Sequence, residues 1–517
     1  MFAETDLVRV ELRGTARGQL RVTHLGDVVR SIDVAQPGVV DVGELSPGGY
    51  GVELWTDRRV ARTAIQVAAD PRRCCRYGFV ADYRPDRDVQ GVADNIRRLH
   101  LTDVQFYDWA YRHADLLGGG DVYTDALGQP VSVQTVQQLI AAVHGAGARA
   151  LGYAAVYAVG NDEWPLWQDL AMLKASGQEH GLGDFLSLVD PADERWLKHF
   201  TADLRAATAG LGFDGYHLDQ YGDPKRALRR DGTVVDVGES FATMLEYVRD
   251  ALPNERLVFN NVNDFPTWRT AACPIDVVYI EPWAPNTTLG HLARLARDAR
   301  TAGGGKPVVF AAYQNVYDTA PTRAADLATA FTMATLFSHG ATQLLCGDAD
   351  RILVDPYYVR NHVVEGSTAE LLRRWYDFLV EHVELLQPDQ AVDVTVATVG
   401  DYNDDCDVVY QGATVADQPA PSTVWRRVIQ VEGRLIVHLI NLMGQDDIEW
   451  DAARKSPVIV AHGVLRVRRV GQAVPRIRVA DPDQQPHLID LEARLDGDHV
   501  TAVLPPLSVW QVLVIDI

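Results

Sequence analysis

Asp219, in the stretch LGFDGYHLDQYGD, and Glu281, in DVVYIEPW, each stand at the end of a short apolar run. An Asp after a strand is ordinarily a helix cap or a turn residue. Two carboxylates ending buried strands with one further strand between them can do more. Neighbouring strands lie about 4.8 Å apart, so side chains leaning over the mouth of a sheet can approach to about 5–6 Å. At that separation one carboxylate can attack an anomeric carbon while the other protonates the departing oxygen and later activates water. Glu281, set among apolar residues and Trp283, is expected to be desolvated and to hold its proton, as a general acid must. Asp219, beside His217 and Gln220, is expected to stay ionised.

Positioning such a pair takes a rigid frame. From about Arg76 the sequence alternates strand-like and helix-like segments. The strands are 77–83, 104–111, 148–159, the run ending at Asp219, 256–262, 276–283, 306–315 and 342–349. Helical periodicity follows them at 92–100, 133–147, 193–212, 241–252, near Trp268, 289–300, 324–340 and 369–386. The strands are apolar on both faces, as parallel strands covered by helices are. Eight strand–helix units predict a (β/α)₈ TIM barrel within an α/β chain. No GxGxxG follows a strand, and Gly303–Gly305 precedes the seventh strand, the wrong end for a phosphate loop. On either side the pattern turns to short alternating strands separated by Gly, Pro and Asp. We therefore expect antiparallel β-sandwich domains at both ends: an immunoglobulin-like one over residues 1–72, the barrel over 73–387, and a second sandwich over 388–517. The polar segment 412–422 is expected to be a mobile loop.

Chemistry in such a barrel belongs at the C-terminal ends of the strands. All eight ends carry polar or aromatic residues: Asp82; Tyr107, Asp108 and Trp109; Tyr153 and Tyr157; His217 and Gln220; Asn260 and Asn261; Trp283; Tyr313 and Gln314; and Asp348. Amides and carboxylates pair with vicinal hydroxyls, and flat aromatic rings suit sugar C–H faces. The loop 160–183, with Trp164 and Trp167, is expected to wall a subsite. No basic cluster awaits a phosphate. With 48 Lys and Arg against 70 Asp and Glu the net charge is -22, which argues against nucleic acid and anionic membranes as partners. His113 and His217 are too few for a catalytic metal, and no cofactor is expected. No GxSxG elbow offers a nucleophilic serine. The five cysteines show no paired or CxxC spacing and read as core thiols. No apolar run reaches membrane-spanning length, and the first residues lack a basic start and an apolar segment, so a cytoplasmic location is expected. The oligomeric state is not legible.

At these residues the sequence resembles glycoside hydrolase family 66, the dextranases and cycloisomaltooligosaccharide glucanotransferases. The stretches that carry the likeness are GFVADY (78–83), VQFYDWAYRH (104–113), GFDGYHLDQYGD (212–223), VVYIEPW (277–283) and DPYY (355–358), the last adding Tyr357 to the candidate substrate contacts. The resemblance implies Asp219 as nucleophile and Glu281 as acid/base. Pro282 and Tyr221 depart from the family's pattern. It also implies retaining cleavage of α-1,6-glucosidic linkages in dextran or isomaltooligosaccharides. A related α-glycosidase or transglycosylase, or a non-catalytic glucan-binding protein, are the alternatives. Cyclising members carry a sugar-binding module inserted in the barrel, and no insertion of that size is visible, which favours hydrolysis.

Overall fold

The computed structural model describes residues 1–13, 17–57, 60–400, 403–469 and 474–517. Its centre is an eleven-stranded, curled, mostly parallel sheet. The strands that matter here are β1 (Tyr77–Val80), β2 (Asp103–Phe106), β3 (Arg149–Ala155), β4 (Gly215–Asp219), β5 (Arg256–Val262), β6 (Val277–Glu281), β7 (Val308–Phe310), β8 (Ala341–Gln343) and β9 (Cys346–Gly347). Strands β1 to β8 are hydrogen-bonded in chain order, all parallel. The eighth expected strand arrives in two pieces: β8 bonds β7, while Gly347 of β9 pairs in parallel with Phe79 of β1. Two antiparallel strands, Arg351–Leu353 and Asn361–Val363, extend the sheet beyond β9.

Helices alternate with these strands because apolar stripes at helical spacing need the sheet's outer face to cover them. They are α1 (Val89–Arg98), α2 (Val133–Gly145), α3 (Glu194–Leu211), α4 (Val237–Ala251), α5 (Thr267–Thr270), α6 (Leu289–Ala302), α7 (Thr322–Ser338) and α8 (Gly366–Glu381). Asp88, Ser132, Asp193, Asp236 and Thr288 cap five of them by accepting backbone N–H bonds. The fourth helix starts four residues before the expected Phe241, because Asp236 supplies its cap. Between strands and helices lie hairpins the sequence reading passed over, such as Val122–Thr124 with Pro130–Ser132 and Arg226–Leu228 with Val234–Asp236. They are short and polar, with too few residues for an alternation to register.

Pairing register decides which side chains share the inner face. Tyr153 lies opposite His217, Leu218 opposite Phe259, Asn260 opposite Tyr279 and Val262 opposite Glu281. Parallel partners point the same way and alternate residues point oppositely. Tyr153, His217, Asp219, Asn260, Tyr279 and Glu281 therefore converge, while Leu218, Phe259 and Ile280 turn to the helices and are fully buried.

At the N-terminal end a five-stranded sheet and the pair Val8–Leu12 with Gly38–Gly43 share one apolar core that includes Val8, Leu20, Val22, Val52 and Val67. At the other end a seven-stranded and a four-stranded sheet enclose Val428, Val437, Leu465, Val500 and Leu513. The segment expected to be a mobile loop is held instead: Val415–Ala416 pairs in parallel with Val424–Trp425, and Asp417 accepts from the Arg426 guanidinium. All five cysteines are buried and free. No helix among the described residues is long and apolar enough to cross a membrane.

Candidate active site

Asp219 is the last residue of β4 and Glu281 the last of β6. Asn260, on the intervening β5, donates from one nitrogen to both: 2.7 Å to Asp219 Oδ1 and 2.8 Å to Glu281 Oε2. Two bonds of those lengths to one atom keep the nearer carboxylate oxygens no more than about 5.5 Å apart, below the range that leaves room for a water between them. The other oxygens are also taken by neutral donors. Tyr153 donates to Asp219 Oδ2 at 2.8 Å, and Trp283 Nε1 to Glu281 Oε1 at 3.2 Å. The nearby Tyr313 hydroxyl also favours the ionised form of Glu281.

No Lys or Arg hydrogen-bonds either carboxylate among the described residues, and the protonation behaviour follows. Burial pushes Asp219 above the usual carboxylate range, partly offset by the Asn260 and Tyr153 donors. Burial pushes Glu281 up as well, and there the neighbouring Asp219 charge adds to it. The pair therefore shares protons near neutrality and favours the state with Asp219 ionised and Glu281 protonated. A nucleophile and a proton donor side by side can open an acetal.

The two carboxylates lie in a cavity of about 210 Å³, which is also lined by Tyr107, Tyr153, His217, Gln220, Asn260, Trp283, Tyr313 and Tyr357 from the candidate residues. Gln105, Leu182, Tyr221, Val262, Tyr279, Pro356 and Tyr358 complete it and were not among the candidate substrate contacts. Period-two counting back from Tyr107 and Glu281 would have found Gln105 and Tyr279. Tyr107 stacks on Tyr358 with centroids 4.2 Å apart, which fixes the aromatic wall opposite the acids. His217 is fully buried between Tyr77 and Tyr153, with its Nδ1 3.1 Å from the Tyr77 hydroxyl, and burial pushes its pKa down to about 3. It is a neutral wall residue, with Tyr77 rather than Asp219 as its hydrogen-bond partner. Gln220 is occupied in joining loops, donating to the Asn260 and Phe265 carbonyls.

Seven candidate contacts stand outside the cavity lining. Trp109 is fully buried and donates to the Tyr153 carbonyl. Tyr157 is fully buried and donates to the Asp223 carbonyl while accepting from Tyr221 N–H. Asn261 points away from Asn260, into bonds with the Tyr279 carbonyl and Thr270. Gln314 is buried beside Thr332. Asp82 and Asp348 are both drawn to Arg87 in a separate polar recess. Asp108 is buried with a positive φ of 44°, and burial together with Asp125 and Asp219 pushes its pKa up to about 8. Of the loop 160–183 only Leu182 reaches the cavity; Trp167 packs on Trp196 and His199. Among the described residues no cluster of His, Cys, Asp and Glu is arranged to hold a metal ion.

Three comparisons bear on this arrangement. The chain is 27% identical over 289 residues to a cycloisomaltooligosaccharide glucanotransferase of Niallia circulans, covering 50% of this chain and 30% of that one. It is 24% identical over 255 residues to a dextranase of Streptococcus salivarius, covering 43% of this chain and 31% of that one. The match thus takes in about a third of each curated relative's length. Among solved structures, a Paenibacillus sp. cycloisomaltooligosaccharide glucanotransferase complexed with cycloisomaltoheptaose superposes with a TM-score of 0.86 at 19% identity, over 99% of this chain and 98% of that one, and so has the same fold. The model of glycosyl hydrolase family 66 matches residues 44–514, nearly the whole sequence, and the chain belongs to that family.

Proposed function

We propose that this protein is a retaining glycoside hydrolase that cleaves α-1,6-glucosidic linkages of dextran or isomaltooligosaccharides. In this reading strands β1 to β9 close as an eight-stranded barrel over residues 73–387, flanked by β-sandwich domains over 1–72 and 388–517. The observation that supports the chemistry is the single Asn260 nitrogen bonded to both Asp219 and Glu281, which holds their nearer oxygens too close to leave room for the water of a single displacement. Asp219 attacks the anomeric carbon as Glu281 gives its proton to the departing glycosidic oxygen, leaving a glycosyl ester on Asp219. Glu281, now ionised, takes a proton from water, whose oxygen attacks the same carbon and expels Asp219. Two inversions give net retention. The proton needed in the first step and the base needed in the second are the same carboxyl group, which is why Glu281 benefits from a pKa raised toward neutrality.

The substrate class rests on the family and on the relatives named as a dextranase and a cycloisomaltooligosaccharide glucanotransferase. An uncharged cavity wall of tyrosines and tryptophan agrees with a neutral sugar. Transfer to another sugar in place of water is the second reading. The missing inserted module no longer counts against it, since a glucanotransferase chain is matched over 98% of its length by this one. The same catalytic groups serve both outcomes. Incubating dextran, isomaltooligosaccharides and an α-galactoside with the protein, and with Asp219→Asn and Glu281→Gln, tests the assignment. Cleavage of the α-1,6-glucans by the wild type alone is expected. Full activity in either variant would overturn that residue's role, and cleavage of the galactoside alone would overturn the substrate class.

A further inference from the structure

We propose that Trp283 and Trp268 form a stacking track for the part of the glucan chain that departs on protonation by Glu281, an inference that rests on the function proposed above. Trp283 lines the cavity mouth, with 41% of its surface exposed, and its indole N–H is committed to Glu281. Its ring is thereby fixed beside the group that hands its proton to the leaving oxygen. Sugar units attached to that oxygen must pass on the Glu281 side of the pair rather than the Asp219 side.

Trp268 is 69% exposed, the most open of the exposed tryptophans among the described residues. Single exposed apolar residues are ordinary. What distinguishes Trp268 is its mounting, which is hydrogen-bonded to the end of β6 that carries Glu281 and to the loop that follows it. Asn263 makes the connection: its N–H donates to the Glu281 carbonyl at 2.7 Å, its Oδ1 accepts from Trp283 N–H at 3.2 Å, and its amide donates to the Ala284 carbonyl at 2.9 Å. The chain then turns tightly, with Asp264 N–H bonded to the Asn261 carbonyl, Phe265 N–H to Val262 and Thr267 N–H to Asp264. Thr270 locks the far end of α5 to Asn261 Oδ1 at 2.6 Å. Phe265, nearly buried, backs the Trp268 ring with centroids 5.7 Å apart, and its carbonyl is held by Gln220, the residue after Asp219.

These bonds fix the backbone that carries the indole, and its open surface faces solvent. Its neighbour Arg269 is engaged with Glu239, and Lys225 lies over the Phe265 ring, 5.3 Å from its centroid. The chemistry suits a neutral chain of sugar rings, whose C–H faces stack on flat apolar surface without a charged partner. A chain long enough to reach from the cavity past Trp283 would gain the second contact, and a trisaccharide filling the cavity would not.

Binding in the Glu281→Gln background, followed by calorimetry, separates the track from the chemistry. Adding Trp268→Ala is expected to weaken dextran about tenfold, equivalent to about 1.4 kcal/mol, and isomaltotriose less than twofold. Trp268→Tyr, which keeps a flat ring, is expected to restore most of the dextran affinity. Unchanged dextran affinity in Trp268→Ala, or equal losses for polymer and trisaccharide, would overturn the track while leaving the function standing. Failure of the parent Glu281→Gln protein to bind either sugar would overturn the proposed function and the track with it.

Discussion

At the N-terminal end of β2 Asp103 is completely buried and ringed by cations: Arg149 and Arg256 each reach its Oδ1 at 2.7 Å, and Thr102 donates to Oδ2 at 2.8 Å. Burial alone would raise its pKa, but the two guanidiniums hold it below the usual carboxylate range. At the C-terminal ends of β4 and β6, Asp219 and Glu281 are bonded by neutral groups and, among the described residues, by no Lys or Arg, and both rise. The same sheet thus treats its acids in opposite ways at its two ends. Charge compensation makes Asp103 a fastener across β2, β3 and β5, unfit for proton exchange near neutrality. Leaving the upper pair without cations costs stability and keeps their protons available.

The comparison can be broken from either side. Asp219→Asn and Glu281→Gln should each lower kcat on an α-1,6-glucan by about a thousandfold or more, with melting temperature unchanged or raised, since a poorly compensated buried acid is removed. A large fall in melting temperature would make them structural residues like Asp103. Asp103→Asn should do the reverse, costing about 3 kcal/mol or more in denaturant unfolding because two buried guanidiniums lose their counter-charge, with the remaining folded protein still active.

Asn260→Ala sharpens the contrast. Losing the shared donor should reduce kcat by about a hundredfold. It should also move the acid limb of the kcat/KM profile to higher pH, because a bond that favours the ionised carboxylates is gone. An unmoved limb would mean that Asn260 does not tune the pair.

A smaller effect comes from a third treatment of buried acids. His487 lies 2.8 Å from Glu53 and 2.5 Å from Glu381, joining the N-terminal sheet, α8 and the C-terminal region. Burial pulls its pKa down, but the two carboxylates outweigh this and raise it to about 9, while Glu53 falls to about 2 as its bonds to His487 and Arg62 outweigh its own burial. A raised histidine pKa stabilises fully below its unfolded value near 6.5 and is lost as pH climbs through about 9. Melting temperature should therefore drop by a few degrees over that window, and the drop should flatten in His487→Gln. An equal alkaline drop in the variant would remove His487 as its cause.

Much of the core was legible because buried parallel strands are continuous apolar runs, and Asp219 and Glu281 stood out as acids that end such runs. What the sequence concealed was partnership and parity. Asn260 and Asn261 look alike in RLVFNNV, yet register sends one between the acids and the other into Thr270. Asp82 and Asp348 read as sugar contacts until the fold brings both to Arg87. Trp109 follows Asp108, whose left-handed backbone breaks the strand alternation and turns the indole into the core. The Asn263–Trp283 link depends on two loops meeting, and no local pattern announces that.

The most direct test is the anomeric configuration of the first product, read by proton NMR during cleavage of an isomaltooligosaccharide. With Asp219 and Glu281 held at their bridged spacing, the new reducing end should appear first as the α-anomer and only later mutarotate. A β-anomer appearing first would mean single displacement by water and would contradict the assignment of Asp219 as nucleophile.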